Sequence, residues 1–195
     1  RDLRRGVVSR RATVLRLDRR METKQMGRIS RDVMFMEMAR SASRRSTCRR
    51  LHVGPVLTTL ANRPVSVGWN GAASGDPHCA GNECPGIVPG ACGTLHAEAN
   101  ALSYASKILA PGVEVNLYTT HSPCAMCSLL IRNHVLYVSS IFFEIPYRST
   151  EHLDMFSSSY SDPEYPEGTR DTKLYEVTPA GYVIDYFSRR VRNMP

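Results

Sequence analysis

The sequence predicts an α/β fold, a three-layer α/β/α sandwich, on three observations. Apolar segments of strand length alternate with segments of helical length along most of the 195 residues, the pattern of a sheet with helices on both faces. Hydrophobic residues make up 42% and charged residues 22%, the balance of a globular domain rather than of a disordered or fibrous chain. No apolar run approaches the roughly 18–20 residues needed to span a bilayer; Ile141-Phe142-Phe143 is interrupted at once by Glu144.

Taken in order, Ser30 is an N-cap, and Val33, Met34, Met36 and Met38 give apolar faces to a helix over 31–43. The methionines read as core packing. Two strands follow over 52–59 and 64–69, with Asn62-Arg63 as a tight hairpin turn. Residues 71–93 hold six Gly, three Pro and three Cys and read as a loop. A helix over 95–109 starts from Thr94 as N-cap and is stopped by Pro111-Gly112. A strand over 113–119 comes next, and Pro123 suits the first position of a helix reaching Asn133. The apolar, β-branched run 135–143 is a buried strand. Residues 149–170 are polar, and 174–177 and 182–186 are late strands. The organisation is a leader over 1–29, a folded domain over 30–188 and a C-terminal tail over 189–195.

The formal net charge of +7 divides unevenly. Residues 1–50 hold 16 Lys/Arg against 5 Asp/Glu, whereas 51–195 hold 9 against 13. The body is mildly acidic, which argues against nucleic acid as a partner, since such a partner needs basic charge on the working surface. The Arg-rich leader admits three readings: disordered or non-native sequence upstream of a start at Met21 or Met26, a basic arm for polyanions, or an organelle-targeting peptide. It has no apolar central region of the kind a secretory signal carries.

Three residues carry the chemistry. His96 stands in His96-Ala97-Glu98, and 28 residues later comes Pro123-Cys124-Ala125-Met126-Cys127. One imidazole and two thiolates form a three-ligand zinc set whose fourth tetrahedral position is open to water. A Cys-x-x-Cys at a helix start gains from the backbone N–H groups and helix dipole, which favour the thiolate. Glu98 reaches the same point without ligating; a zinc-bound water has its pKa lowered from 15.7 towards about 7, so a carboxylate there can relay its proton. That is the machinery for hydrolytic removal of an amine from a heterocycle, and His-x-Glu followed by Pro-Cys-x-x-Cys is the signature of zinc-dependent base deaminases.

With these motifs, and with Arg45-Ser46-Thr47-Cys48-Arg49-Arg50, Val53-Gly54, Gly68-Trp69-Asn70-Gly71 and His96-Ala97-Glu98-Ala99-Asn100-Ala101, the chain resembles the zinc-dependent cytidine/deoxycytidylate deaminase superfamily over residues 32–187, in particular its dCMP deaminase branch. The resemblance implies a mixed, mostly five-stranded central sheet and conversion of dCMP to dUMP and ammonia, supplying the precursor of thymidylate. It implies His96, Cys124 and Cys127 as zinc ligands and Glu98 as proton shuttle. Asn70 would face the sugar, Asn100 would line the nucleotide site, and Tyr147 and Arg148 would meet substrate, with Arg49-Arg50 a second candidate for the phosphate. Members are commonly oligomers, often hexamers, activated by dCTP and inhibited by dTTP with Mg²⁺; Trp69 and Tyr104 occupy positions near that allosteric site.

The family usually has Tyr where this chain has Trp69. Gly-Trp-Asn and Ala125-Met126 between the cysteines resemble tRNA adenosine deaminases, so A-to-I deamination in tRNA is an alternative. A catalytically inactive, zinc-stabilised nucleic-acid-binding module is another, although it has no need of Glu98. Cys48, Cys79, Cys84 and Cys92 remain, a count that matches a second, structural zinc, with His78 able to replace one thiol. Free loop thiols and disulfides are the other readings. A metal–thiolate site implies a reducing compartment, hence the cytoplasm, or the host's cytoplasm for a phage protein.

Overall fold

A computed structural model describes residues 27–79, 93–157 and 172–193. Three helices, α1 (Arg31–Ser43), α2 (Ala97–Ala105) and α3 (Ala125–Arg132), accompany seven strands: β1 (Pro55–Thr59), β2 (Pro64–Val67), β3 (Glu114–His121), β4 (Tyr137–Ile145), β5 (Lys173–Val177), β6 (Val183–Asp185) and β7 (Val191–Asn193). They form one sheet of order β2-β1-β3-β4-β5-β6-β7. The pairs β3/β4 and β4/β5 are parallel and the other four antiparallel. The sheet is mixed, as expected, but has seven strands rather than five; the hairpin β6–β7 extends one edge, and β7 falls within the segment set apart as a tail. No described helix is long and apolar enough to cross a membrane.

Strand alternation explains the layers. Along β1, β3 and β4, Val56, Tyr118 and Phe142 point to one face and pack with Phe35, Met36 and Ala39 of α1. Their neighbours Leu57, Leu117 and Ile141 point to the other, against Ala101, Leu102 and Ala105 of α2 and Ile131 of α3. Period-two side-chain alternation thus gives a sheet buried on both faces. On the α1 face Phe35, Tyr118, Phe142 and Tyr175 form a column of rings with successive centroids 5.0, 4.5 and 4.9 Å apart. The Tyr118 hydroxyl donates to Asp32 at 2.8 Å, and Arg40 of α1 pairs with Glu144 of β4.

Several boundaries differ from the sequence expectation. Ser30 caps α1, accepting the Val33 N–H, and Asn62 turns the β1–β2 hairpin at φ +60°. But α2 starts from His96 and not Thr94, and α3 from Cys124, which leaves Pro123 outside the helix. Helix α2 also ends at Ala105; residues 106–109 continue as turns, with the Leu109 N–H donating to the Ala105 carbonyl. Within the polar stretch after β4, Glu151–Phe156 forms a 3₁₀ segment, because Leu153 and Phe156 are buried in the core beneath α3.

Candidate active site

Two helix starts converge at one end of the sheet. His96 is the N-cap residue of α2 and Cys124 that of α3, both with extended backbone and neither using its side chain as a cap. The segment before α2 is fixed by paired hydrogen bonds between Gly71 and Leu95, at 3.2 and 2.8 Å. These tie the residues after β2 to the start of α2 and set Asn70 and His96 in the same cleft. The loop before α3 is braced by His152, whose Nε2 donates to the Pro123 carbonyl at 2.8 Å.

His96 Nδ1 lies 3.3 Å from Cys127 Sγ and 3.4 Å from Cys124 Sγ, and all three ligand atoms lie within 4.8 Å of one another. A tetrahedral zinc with ordinary Zn–N and Zn–S bonds requires an N···S separation of about 3.5 Å, so the trio fits that ion. It is the only such group among the described residues. The two thiols influence each other in opposite directions. The hydrogen bond from Cys127 draws Cys124 down to about 4, with His96 assisting and burial opposing. Cys127 is pushed up, first by Cys124 and then by burial. His96, Cys124 and Cys127 would hold a divalent cation with both sulfurs as thiolates.

Glu98, in the first turn of α2, is buried, with Oε2 3.4 Å from Cys127 Sγ. Burial raises its pKa above the ordinary carboxyl value, the dominant influence on it. His96, Cys124 and Glu98 form the floor of an open cleft whose walls include Arg50, Asn70, His121 and Tyr147.

The other predicted residues divide. Asn70 is in the wall with both amide ends engaged: Oδ1 accepts the Val53 N–H at 2.8 Å and Nδ2 donates to the Leu51 carbonyl at 2.7 Å. Tyr147 lines the cleft, its backbone N–H donating to Ser122 Oγ at 2.8 Å. Arg50 is at the exposed mouth. Asn100 is not in the wall; its Nδ2 donates to the Trp69 carbonyl at 3.0 Å, tying α2 to the loop that carries Asn70. Arg148 is exposed, with Cζ 5.6 Å from the Tyr147 ring centroid. Trp69 is half-buried in a groove against α1 with Arg45 over its ring, and Tyr104 is exposed with Lys107 over its ring.

Of the cysteines assigned to a second zinc, Cys48 is buried in the cleft wall, Cys79 is half-buried, and Cys84 and Cys92 lie outside the described residues. Sequence reasoning missed His121 and Ser122. Their position just before Pro-Cys-x-x-Cys was the available clue, since a strand that delivers a ligand loop also delivers the residues leading into it.

The family model for the cytidine and deoxycytidylate deaminase zinc-binding region matches residues 29–142, and this chain belongs to that family. It is 38% identical over 119 residues to a deoxycytidylate deaminase of Mycobacterium phage D29, covering 54% of this chain and 89% of that one. It is 35% identical over 133 residues to a deoxycytidylate deaminase of Schizosaccharomyces pombe, covering 64% of this chain and 40% of that one. Among solved structures, the dCMP deaminase of cyanophage S-TIM5 in complex with dCMP and dUMP is similar with a TM-score of 0.53 and 32% identity, over 63% of this chain and 86% of that one. The chain spans about half, or less, of the length of two of the curated relatives it matches.

Proposed function

We propose that this chain is a zinc-dependent hydrolase that converts dCMP and water to dUMP and ammonia. The observation that carries the reading is Glu98, a buried carboxyl beside a His/Cys/Cys trio at the floor of an open cleft. A metal needed only for folding has no use for a non-ligating carboxyl there. When bound, zinc supplies a water of lowered pKa. Glu98 then has the proton work: it takes one proton from the water and places it on the ring nitrogen, then takes the second from the hydroxyl added to the ring carbon and delivers it to the amine as the C–N bond breaks and the carbonyl forms. Tyr147 and Asn70 shape the walls, and Arg50 at the mouth suits the phosphate. The naming of the phage and yeast relatives as deoxycytidylate deaminases supports the substrate.

Assembly into a homo-oligomer, and regulation by dCTP and dTTP with Mg²⁺ on the Trp69 and Tyr104 side, belong to the same reading. So does a second zinc on Cys48, Cys79, Cys84 and Cys92. The test is ammonia release from dCMP, cytidine, deoxycytidine and a tRNA anticodon-loop substrate, with and without dCTP and Mg²⁺, alongside zinc analysis. Turnover of dCMP is expected, with two zinc ions per chain. Activity on the tRNA alone overturns the substrate assignment, and one zinc per chain removes the second site.

A further inference from the structure

We infer that His121 contacts the substrate in this cleft, as the neutral tautomer that offers an N–H from Nε2 to an uncharged oxygen of the bound nucleotide's base or sugar. The inference rests on the dCMP reading and adds to it a binding residue outside the metal set.

His121 ends β3 and stands half-buried in the cleft wall. Its Nδ1 lies 3.1 Å from Thr120 Oγ1, and that buried hydroxyl already accepts the Gly54 backbone N–H at 3.3 Å. A hydroxyl has one proton to donate, and buried hydroxyls place it on an acceptor. With Gly54 supplying a proton, the arrangement that satisfies Thr120 has it donate to His121 Nδ1. An imidazole that accepts at Nδ1 carries its own proton on Nε2.

Burial lowers the ring's pKa below the usual histidine value and so favours the neutral form, against the opposing influence of Glu144. That carboxylate is itself paired with Arg40. Nε2 has no partner among the described residues, so its N–H is available to the cleft. A neutral donor within the wall suits a carbonyl or sugar oxygen, whereas the guanidinium of Arg50 at the mouth suits the phosphate dianion. The oxygen is recognised because, unfilled, the site leaves a partly desolvated donor unpaired.

The experiment compares wild type with His121→Leu, His121→Gln, Thr120→Val and the Thr120→Val/His121→Leu double variant, each checked for zinc content and assayed for kcat and KM on dCMP. The Leu variant is expected to raise KM about tenfold with kcat within about threefold. Gln, which keeps a neutral N–H donor, is expected to recover most of that loss. Thr120→Val, which releases the tautomer, is expected to raise KM about threefold alone and to add nothing to the Leu variant. Unchanged KM in His121→Leu, equal losses in Leu and Gln, or additive effects of the two sites overturn the inference. If His121→Leu fails to fold or loses zinc, Thr120→Val decides: a raised KM supports the inference and a wild-type KM overturns it. A wild-type protein that does not turn over dCMP refutes the function reading itself, a result distinct from all of these.

Discussion

Helix α1 begins in one way and the pair α2 and α3 in another. At α1, Ser30 accepts the Val33 N–H and Asp32 occupies the first turn, the arrangement that stabilises a helix start in any protein. At α2 and α3 the N-cap residues are His96 and Cys124, and neither side chain closes a cap hydrogen bond. Those two side chains are turned toward each other and toward Cys127. The fold therefore gives up local helix stability at two of the three described helix starts to assemble a ligand set. The two helix N-termini in turn favour the thiolates that hold the ion. Stability in this protein is spent unevenly, and where it is missing the chemistry is found.

Substitutions at the two kinds of start should separate these contributions. Cys124→Ser is expected to abolish zinc binding and reduce turnover to background, as measured by metal content and ammonia release. In the presence of chelator, however, the same variant should be about 0.5 kcal/mol more stable to denaturant than chelated wild type, because Ser is the better cap. A Ser variant less stable than chelated wild type breaks the comparison. Glu98→Ala should lower kcat by about 10²–10⁴ while zinc stays bound, which isolates proton transfer from metal binding. Gly68→Ala acts between the two: an added Cβ would come 2.5 Å from the Ala97 carbonyl and 2.8 Å from the Ala101 nitrogen. It should cost about 3 kcal/mol by denaturant unfolding and displace the turn that holds Glu98, so kcat falls as well. The smallest effect belongs to Ser30→Ala, about 1 kcal/mol of stability with kcat unchanged.

The same contrast explains which parts of the molecule the sequence made legible. Ser30 and the hairpin at Asn62 obey local rules and were found where those rules put them. The starts of α2 and α3 differ by two residues from the sequence expectation because Thr94 and Pro123 satisfy the cap and first-turn preferences better than His96 and Cys124 do. The site overrode propensity. Strand β7, Val191–Asn193, is three residues long at a sheet edge and has too little pattern to reveal itself. The 3₁₀ segment hid its two core residues, Leu153 and Phe156, in a polar stretch. The metal trio was legible because ligand chemistry restricts residue type. The walls were less so: Asn70 and Tyr147 line the cleft, but Asn100 works through the Trp69 carbonyl, a backbone contact that no side-chain motif encodes.

That contact also gives the protein a built-in optical reporter. The chain has a single tryptophan, and its backbone carbonyl is held by the helix that carries Glu98, while the next residue, Asn70, forms part of the cleft wall. The indole itself is half-buried against α1 with a guanidinium over it. Emission excited at the red edge of the ultraviolet band therefore originates from one loop, at the junction of cleft, helix and groove. Ligand titrations, stopped-flow mixing and quenching can be read from the unlabelled molecule as events at that junction.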